Sequence, residues 1–341
     1  MNTKAYISAV AHYTPPKVLS NFDLEKMVDT SDEWIRTRTG ISERRILGPG
    51  LATSDMASEA VKNLCQLRGI SPEEIDVIIV ATVTPDMFFP STGNLVQEKV
   101  GAKNAWSFDV SAACSGFIYS LSIGSQFIMA GTQKKVVVVG ADKMSSIVNY
   151  RDRNTCVLFG DAAGAVLLEP TEDKAGFLDF ILHSDGSGAE YLMMKAGGSL
   201  NPASLETIAS DWHFIYQDGK PVFKFAVTKM AEVAANILER NNVRGKDIKL
   251  FVPHQANLRI IDATAKRAEI SEDKVMINID RYGNTTAATI PLALSEAYQM
   301  GKLDTGDMVL FATFGGGFTW GSALHKWVLP KPENPITIEK K

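Results

Sequence analysis

Short, continuous apolar runs punctuate the chain at 76–82, 135–140, 165–168, 248–252 and 308–313. Runs of this length, rich in Val and Ile, predict strands buried on both faces, as in a mostly parallel sheet. Longer stretches at 54–68, 115–130, 224–241, 257–268 and 287–300 predict helices between them. Weaker strand-like runs lie at 5–9, 106–110 and 155–159. Strand and helix alternate, so the predicted class is α/β.

The order of these signals repeats. In each half a turn, 72–76 or 245–248, leads into a strand, Cys114 or Asn284 comes next, then a helix, then another strand. Thr82 and Cys114 are 32 positions apart, and Pro253 and Asn284 are 31 apart. This predicts two copies of one unit, 1–172 and 173–341, with Cys114 and Asn284 at matching places.

Composition narrows the setting. The 341 residues are 45% hydrophobic and 22% charged, ordinary values for a chain with a large core. Only the charged, Pro-containing tail at 330–341 reads as disordered. A net charge of −4 excludes a general attraction for nucleic acid. Three well-separated cysteines, Cys65, Cys114 and Cys156, argue against a disulfide framework, and no CxxC suggests a metal. Cys65 and Cys156 read as core residues. No apolar run reaches the length of a membrane helix, and no signal-type apolar core follows Met1. The expected location is a reducing cytoplasm.

Three positions stand out for their chemistry. Cys114 follows a strand-like 106–110 and opens an apolar helix. Peptide dipoles at a helix start favour a thiolate; a buried structural cysteine is the competing reading. His254 ends a strand just before an amphipathic helix, where open α/β sheets place their sites; a capping or core histidine competes. Asn284, in Gly283-Asn284-Thr285, reads equally as turn chemistry, though its amide can donate to a carbonyl without titrating. Gly315-Gly316-Gly317 lets backbone N–H groups approach a ligand. No GxGxxG follows a strand, so a dinucleotide site is not expected.

Taken together, Cys114, His254-Gln255-Ala256-Asn257, Gly283-Asn284-Thr285 and the run from Gly315 to Ser322 resemble the β-ketoacyl-acyl-carrier-protein synthase III family. Further matches are Thr30 to Ile35, Thr37 to Ile41 and Phe159 to Gly164, so the resemblance spans about Tyr6 to Trp327. It implies the thiolase fold, a five-layered αβαβα duplication, assembled as a homodimer. It implies that Cys114 accepts an acyl group from a short acyl-coenzyme A, and that His254 and Asn284 serve the decarboxylation of malonyl-acyl-carrier protein. The backbone N–H groups of Cys114 and Gly316 match its oxyanion hole. Trp34 and Arg153 match the pair that sandwiches adenine, Thr30 and Arg38 match further coenzyme A contacts, and Phe89 matches the residue that closes the partner's acyl pocket. No cofactor is implied, since the coenzyme A thioester is a substrate. Ser111 and Ser115 depart from the alanines common near the nucleophile.

The helix at 257–268 places Leu258, Ile261, Ala265 and Ala268 on an inner face and Arg259, Lys266 and Arg267 on the outside. On an acidic chain, beside His254, that basic face is the expected dock for an acidic carrier protein. Two other readings remain: a sister condensing enzyme with a branched, aromatic or longer primer, and a non-catalytic acyl-coenzyme A scaffold.

Overall fold

Two sheets stand at the centre of the computed structural model, which describes residues 3–172 and 175–337. The first contains β1 (Lys4–Tyr13), β2 (Val77–Ala81), β3 (Trp106–Val110), β4 (Val136–Lys143) and β5 (Asp161–Thr171), in the spatial order β1-β5-β4-β2-β3. The second contains β6 (Gly176–Ser184), β7 (Leu250–Pro253), β8 (Met308–Gly315) and β9 (Thr319–Lys326), in the order β7-β8-β9-β6. Parallel pairing joins β3 to β2 and β2 to β4, while β5 runs antiparallel to β4 and β1. The second sheet repeats this sequence of directions: β7 and β8 are parallel, and β9 is antiparallel to β8 and β6. A parallel bridge from Val275 to Phe251 stands where β3 stands in the first sheet.

Six helices complete the layers: α1 (Thr53–Arg68), α2 (Thr92–Val100), α3 (Gly116–Met129), α4 (Gly219–Arg240), α5 (Leu258–Arg267) and α6 (Thr289–Gln299). Alternation along each strand decides which layer a residue meets. Ile78, Val80, Val137 and Val139 face outward to Met56, Ala60 and Leu64 of α1 and Val96 of α2. Leu310 and Ala312 face outward to Met230 and Ile237 of α4 and Ile261 and Ala265 of α5. Val77, Ile79, Val138, Val252, Val309 and Phe311 face inward and meet Phe117 and Leu121 of α3 and Ile290 and Ala293 of α6. Strands buried on both faces need continuous apolar runs, which is why they are readable. The layers are αβαβα, as the family resemblance implies.

Four expectations change. The helix expected at 224–241 starts at Gly219, because the Asp218 side chain accepts the Lys220 N–H and caps it earlier. The strand-like 155–159 is instead the end of a short helix, Arg153–Cys156, capped by Asp152. Its apolar residues fill a small core with Ile41 and Ile279. On the inner face of α5, Ile260 is buried and Leu258 only partly so. The tail is less free than its composition suggests, since the Ile336 N–H donates to the Gln299 carbonyl. Residues 338–341 lie outside the described residues, as do 173–174, where the boundary between halves is expected.

The pairing of Cys114 with Asn284 is also corrected. The tight turns Ala113–Ser115 and Thr286–Ala288 each lead directly into a central helix. Each opens on a left-handed residue, Ala113 at φ 46° and Thr286 at φ 54°. Cys114 therefore corresponds to Ala287, and Asn284 to Ser111. Gly140 of β4 makes room for the second turn, because a Cβ there would sit 2.2 Å from the Ala287 carbonyl oxygen. Gly140→Ala is expected to lower stability by about 3 kcal/mol, measured by urea unfolding. A loss below about 0.5 kcal/mol would show that the turn can retreat at no cost.

Candidate active site

Cys114 sits in the first turn, 7% exposed. Side chains of β8 and β9 hold that turn by its carbonyls. The Thr313 hydroxyl donates to the Cys114 oxygen at 3.0 Å, and the Thr319 hydroxyl donates to the Ala112 oxygen at 3.1 Å. Gly315 lets β8 approach this closely: a Cβ there would lie 2.8 Å from the Cys114 nitrogen.

His254 follows the last residue of β7, and its N–H donates to the Ala312 carbonyl at 2.9 Å. Ala312 neighbours Thr313, so one strand, β8, fixes the backbones of both His254 and Cys114. The imidazole is 2% exposed, and its Nδ1 lies 2.7 Å from the Thr289 hydroxyl. Asn284 is tied across the halves, donating its N–H to the Leu158 oxygen and accepting the Gly160 N–H. Its Oδ1 accepts the Thr286 N–H at 2.9 Å. With Oδ1 so engaged, the amide NH2 is the end left for the cavity that Cys114 also lines.

Burial governs the charges. It pushes the Cys114 thiol well above the ordinary range, with the Asp142 carboxylate adding to the effect, while hydrogen bonds from the Cys114 backbone and Asn284 oppose it. Burial also pushes His254 down to about 3, so the resting imidazole is neutral. Burial raises Asp142 to about 6, against hydrogen bonds from the Val83 and Ala287 N–H groups and the Thr84 and Thr82 hydroxyls. Among the described residues, no group of three or more His, Cys, Asp or Glu is placed to hold a metal. No described helix is long and apolar enough to cross a membrane.

Cys114, His254 and Asn284 line one cavity of about 1370 Å³, together with Gly316, Trp34, Arg38 and Arg259. Arg153 does not line the cavity but touches a residue that does: its guanidinium lies 4.6 Å from the centre of the Trp34 ring, and that of Arg38 lies 5.3 Å from it. Arg153 also pairs with Asp29 at 3.6 Å. Thr30 does not line the cavity; its buried hydroxyl makes no hydrogen bond in the described residues. Phe89 stands outside this chain's cavity and is 83% exposed. Arg259, Lys266 and Arg267 are exposed on α5, with the Arg259 guanidinium 4.8 Å from the Phe223 ring centre. Sequence does not single out Thr289, Thr313 or Asp142. Threonine at a helix start reads as a cap, and Thr313 and Asp142 sit inside or beside strand signals.

Family models described as 3-oxoacyl-[acyl-carrier-protein] synthase III match residues 108–186, and the C-terminal part of that enzyme matches 238–327. The β-ketoacyl-[acyl-carrier-protein] synthase III of Chlorobium luteolum is 57% identical over 95% of this chain and 99% of its own length. The chain belongs to the β-ketoacyl-[acyl-carrier-protein] synthase III family. It is a condensing acyltransferase of the thiolase fold. The Solibacter usitatus β-ketoacyl-[acyl-carrier-protein] synthase III is 56% identical, covering 95% of this chain and 99% of its own. The solved 3-oxoacyl-[acyl-carrier-protein] synthase III of Aquifex aeolicus is 46% identical, covers 95% of this chain and 100% of its own, and superposes with a TM-score of 0.87.

Gly315→Ala is expected to push the Cys114 turn away from β8 and slow acylation of Cys114 about 100-fold while the chain stays folded. Rapid-quench mass spectrometry with acetyl-coenzyme A checks this. An unchanged rate would show that the closeness of β8 does not place the sulfur.

Proposed function

We propose that this chain primes fatty acid synthesis by joining a short acyl group, acetyl in the simplest case, to malonyl-acyl-carrier protein. The observation that carries this reading is the convergence of Cys114, His254 and Asn284 on one cavity. Cys114 attacks the thioester of the acyl-coenzyme A. The N–H groups of Cys114 and Gly316 receive the oxyanion, each such donor being worth ~3 kcal/mol in the transition state. Coenzyme A leaves and malonyl-carrier protein enters. Its carboxylate departs as carbon dioxide, and the enolate oxygen accepts hydrogen bonds from His254 and Asn284. The carbanion attacks acyl-Cys114 and gives a 3-oxoacyl-carrier protein. Decarboxylation itself generates the carbanion, so the scheme calls on no cofactor. Burial strengthens each hydrogen bond and keeps water from the acyl-enzyme.

The surrounding residues take their places in the same reading. Adenine enters between Trp34 and Arg153 once their 4.6 Å contact opens, with Arg38 and Thr30 near the nucleotide. The carrier protein docks on α5, where Arg259 lines the cavity and Lys266 and Arg267 are exposed further along the helix. Phe88 and Phe89, 81% and 83% exposed, are large apolar side chains that a second copy would cover. Phe89 then closes the partner's acyl pocket in a cytoplasmic homodimer. The chain divides at 172/173, one half supplying Cys114 and the other His254 and Asn284.

His254→Ala is expected to form acyl-Cys114 yet release carbon dioxide from malonyl-carrier protein at least about 100-fold more slowly. Normal decarboxylation by that variant would remove His254 from the scheme. Arg259→Glu is expected to weaken carrier-dependent turnover about tenfold at low salt, acting chiefly on association. Intact turnover at low ionic strength would move the docking site elsewhere.

A further inference from the structure

Outside the cavity, Gln255, Asn278 and Glu296 form a buried chain of hydrogen bonds. The Gln255 amide, next to His254, donates to the Pro253 oxygen at 2.9 Å and to the Met276 oxygen at 3.0 Å. Its Oε1 accepts the Asn278 N–H at 3.1 Å. Gln255 thus clamps the strand end that carries His254 to the segment 276–278. The Asn278 side-chain NH2 in turn donates to Glu296 Oε2 at 2.9 Å.

Glu296 belongs to α6 and receives further donors. Arg281 grips it with two nitrogens, Nη1 on Oε1 at 2.7 Å and Nη2 on Oε2 at 2.8 Å. The Tyr282 hydroxyl donates to Oε1 at 2.8 Å. Burial opposes the charge, yet Arg281, Asn278 and Tyr282 hold the carboxyl below its ordinary range. These donors all come from 278–282, and the short helix Ile279–Tyr282 runs directly into Gly283-Asn284. At its start, α6 carries Thr289, whose hydroxyl lies 2.7 Å from His254 Nδ1. One carboxylate therefore joins the strand end carrying His254, the helix that delivers Asn284, and the helix whose first residue touches the imidazole. The Cys114 turn is held separately, by Thr313 and Thr319.

We propose that Glu296 is a positioning residue for the half of the reaction that releases carbon dioxide, fixing where His254 and Asn284 stand relative to each other. This rests on the condensing reaction of the proposed function, in which that pair receives the enolate oxygen. The acylating half draws on the Cys114 turn and on backbone N–H groups, and does not pass through Glu296. Glutamine has the same shape but cannot take over the task. It offers one carbonyl oxygen and one NH2, whereas Arg281 donates to both carboxylate oxygens. Either orientation of the amide sets an NH2 against an Arg281 nitrogen. A contact left unmade in a buried site is costly, so the 278–282 segment shifts and Asn284 moves with it.

The test reads the two half-reactions separately on the full-length enzyme. Rapid-quench mass spectrometry times the formation of acyl-Cys114 from acetyl-coenzyme A and counts the molecules that acquire the label. Carbon dioxide release from malonyl-carrier protein is divided by that count, so a loss of folded protein cancels. Glu296→Gln is expected to acylate within about twofold of the wild type and to release carbon dioxide about 100-fold more slowly. Unchanged release, or an equal slowing of both half-reactions, overturns the proposal. If Glu296→Gln does not fold, Tyr282→Phe decides in its place, because it removes one donor and keeps the ring. It is expected to acylate normally and to release carbon dioxide about tenfold more slowly, and release at the wild-type rate overturns the proposal. A wild type that never releases carbon dioxide, or a His254→Ala variant that releases it normally, refutes the underlying reading instead, and this proposal with it.

Discussion

Ala113 and Thr286 are both held at positive φ, in a region that costs a non-glycine residue of the order of 1 kcal/mol or more. Everything at the site depends on that constraint being met twice. Each left-handed residue turns the chain sharply between the sheets and aims the next residues into a central helix. The strain is offset by contacts that only the folded chain supplies. Thr313 and Thr319 donate to the carbonyls of the first turn, and Asn284 accepts the Thr286 N–H of the second. Because strands of both sheets end here, residues far apart in sequence open on a single cavity.

Asp142 shows how the two turns are kept together. It lies at the end of β4, fully buried, and accepts from Thr82, Val83 and Thr84 of its own half and from the Ala287 N–H of the other. A buried carboxylate would ordinarily be destabilising. Here it satisfies turn N–H groups that have no ladder partner, at the point where Gly140 lets the halves touch. The same negative charge disfavours a thiolate at Cys114. A site built this way keeps its nucleophile protonated at rest.

Much of this is legible in the chain. β2, β4, β7 and β8 announce themselves because burial on both faces demands unbroken apolar runs. β6 and β9 do not. β9 reads Thr319-Trp320-Gly321-Ser322-Ala323-Leu324-His325-Lys326, and small residues serve there as close contacts: a Cβ on Gly321 would lie 2.9 Å from the Ile181 oxygen. Cys114, His254 and Asn284 are readable from strand ends and the family resemblance. Counting from strand ends nevertheless misplaces the match between the two halves by three positions, because Thr82 and Pro253 are not equivalent ends: Val77 to Ala113 and Leu250 to Thr286 both span 36 positions. Thr289 stays hidden because its contact with the His254 ring is made only by the folded turn. At Cys156 an apolar run belongs to a short capped helix, since burial in a small core produces the same run as a strand.

The chemistry turns on which sulfur carries the acyl group. Cys65 and Cys156 are also buried and unpaired, but neither lines the cavity with His254 and Asn284. Peptide mapping by mass spectrometry after brief mixing with acetyl-coenzyme A, quenched before malonyl-carrier protein is added, locates the label directly. The acyl group is expected on the peptide containing Cys114, and in a parallel unquenched sample it should vanish once malonyl-carrier protein is supplied. A label on another cysteine, or one on Cys114 that malonyl-carrier protein never removes, would contradict the assignment.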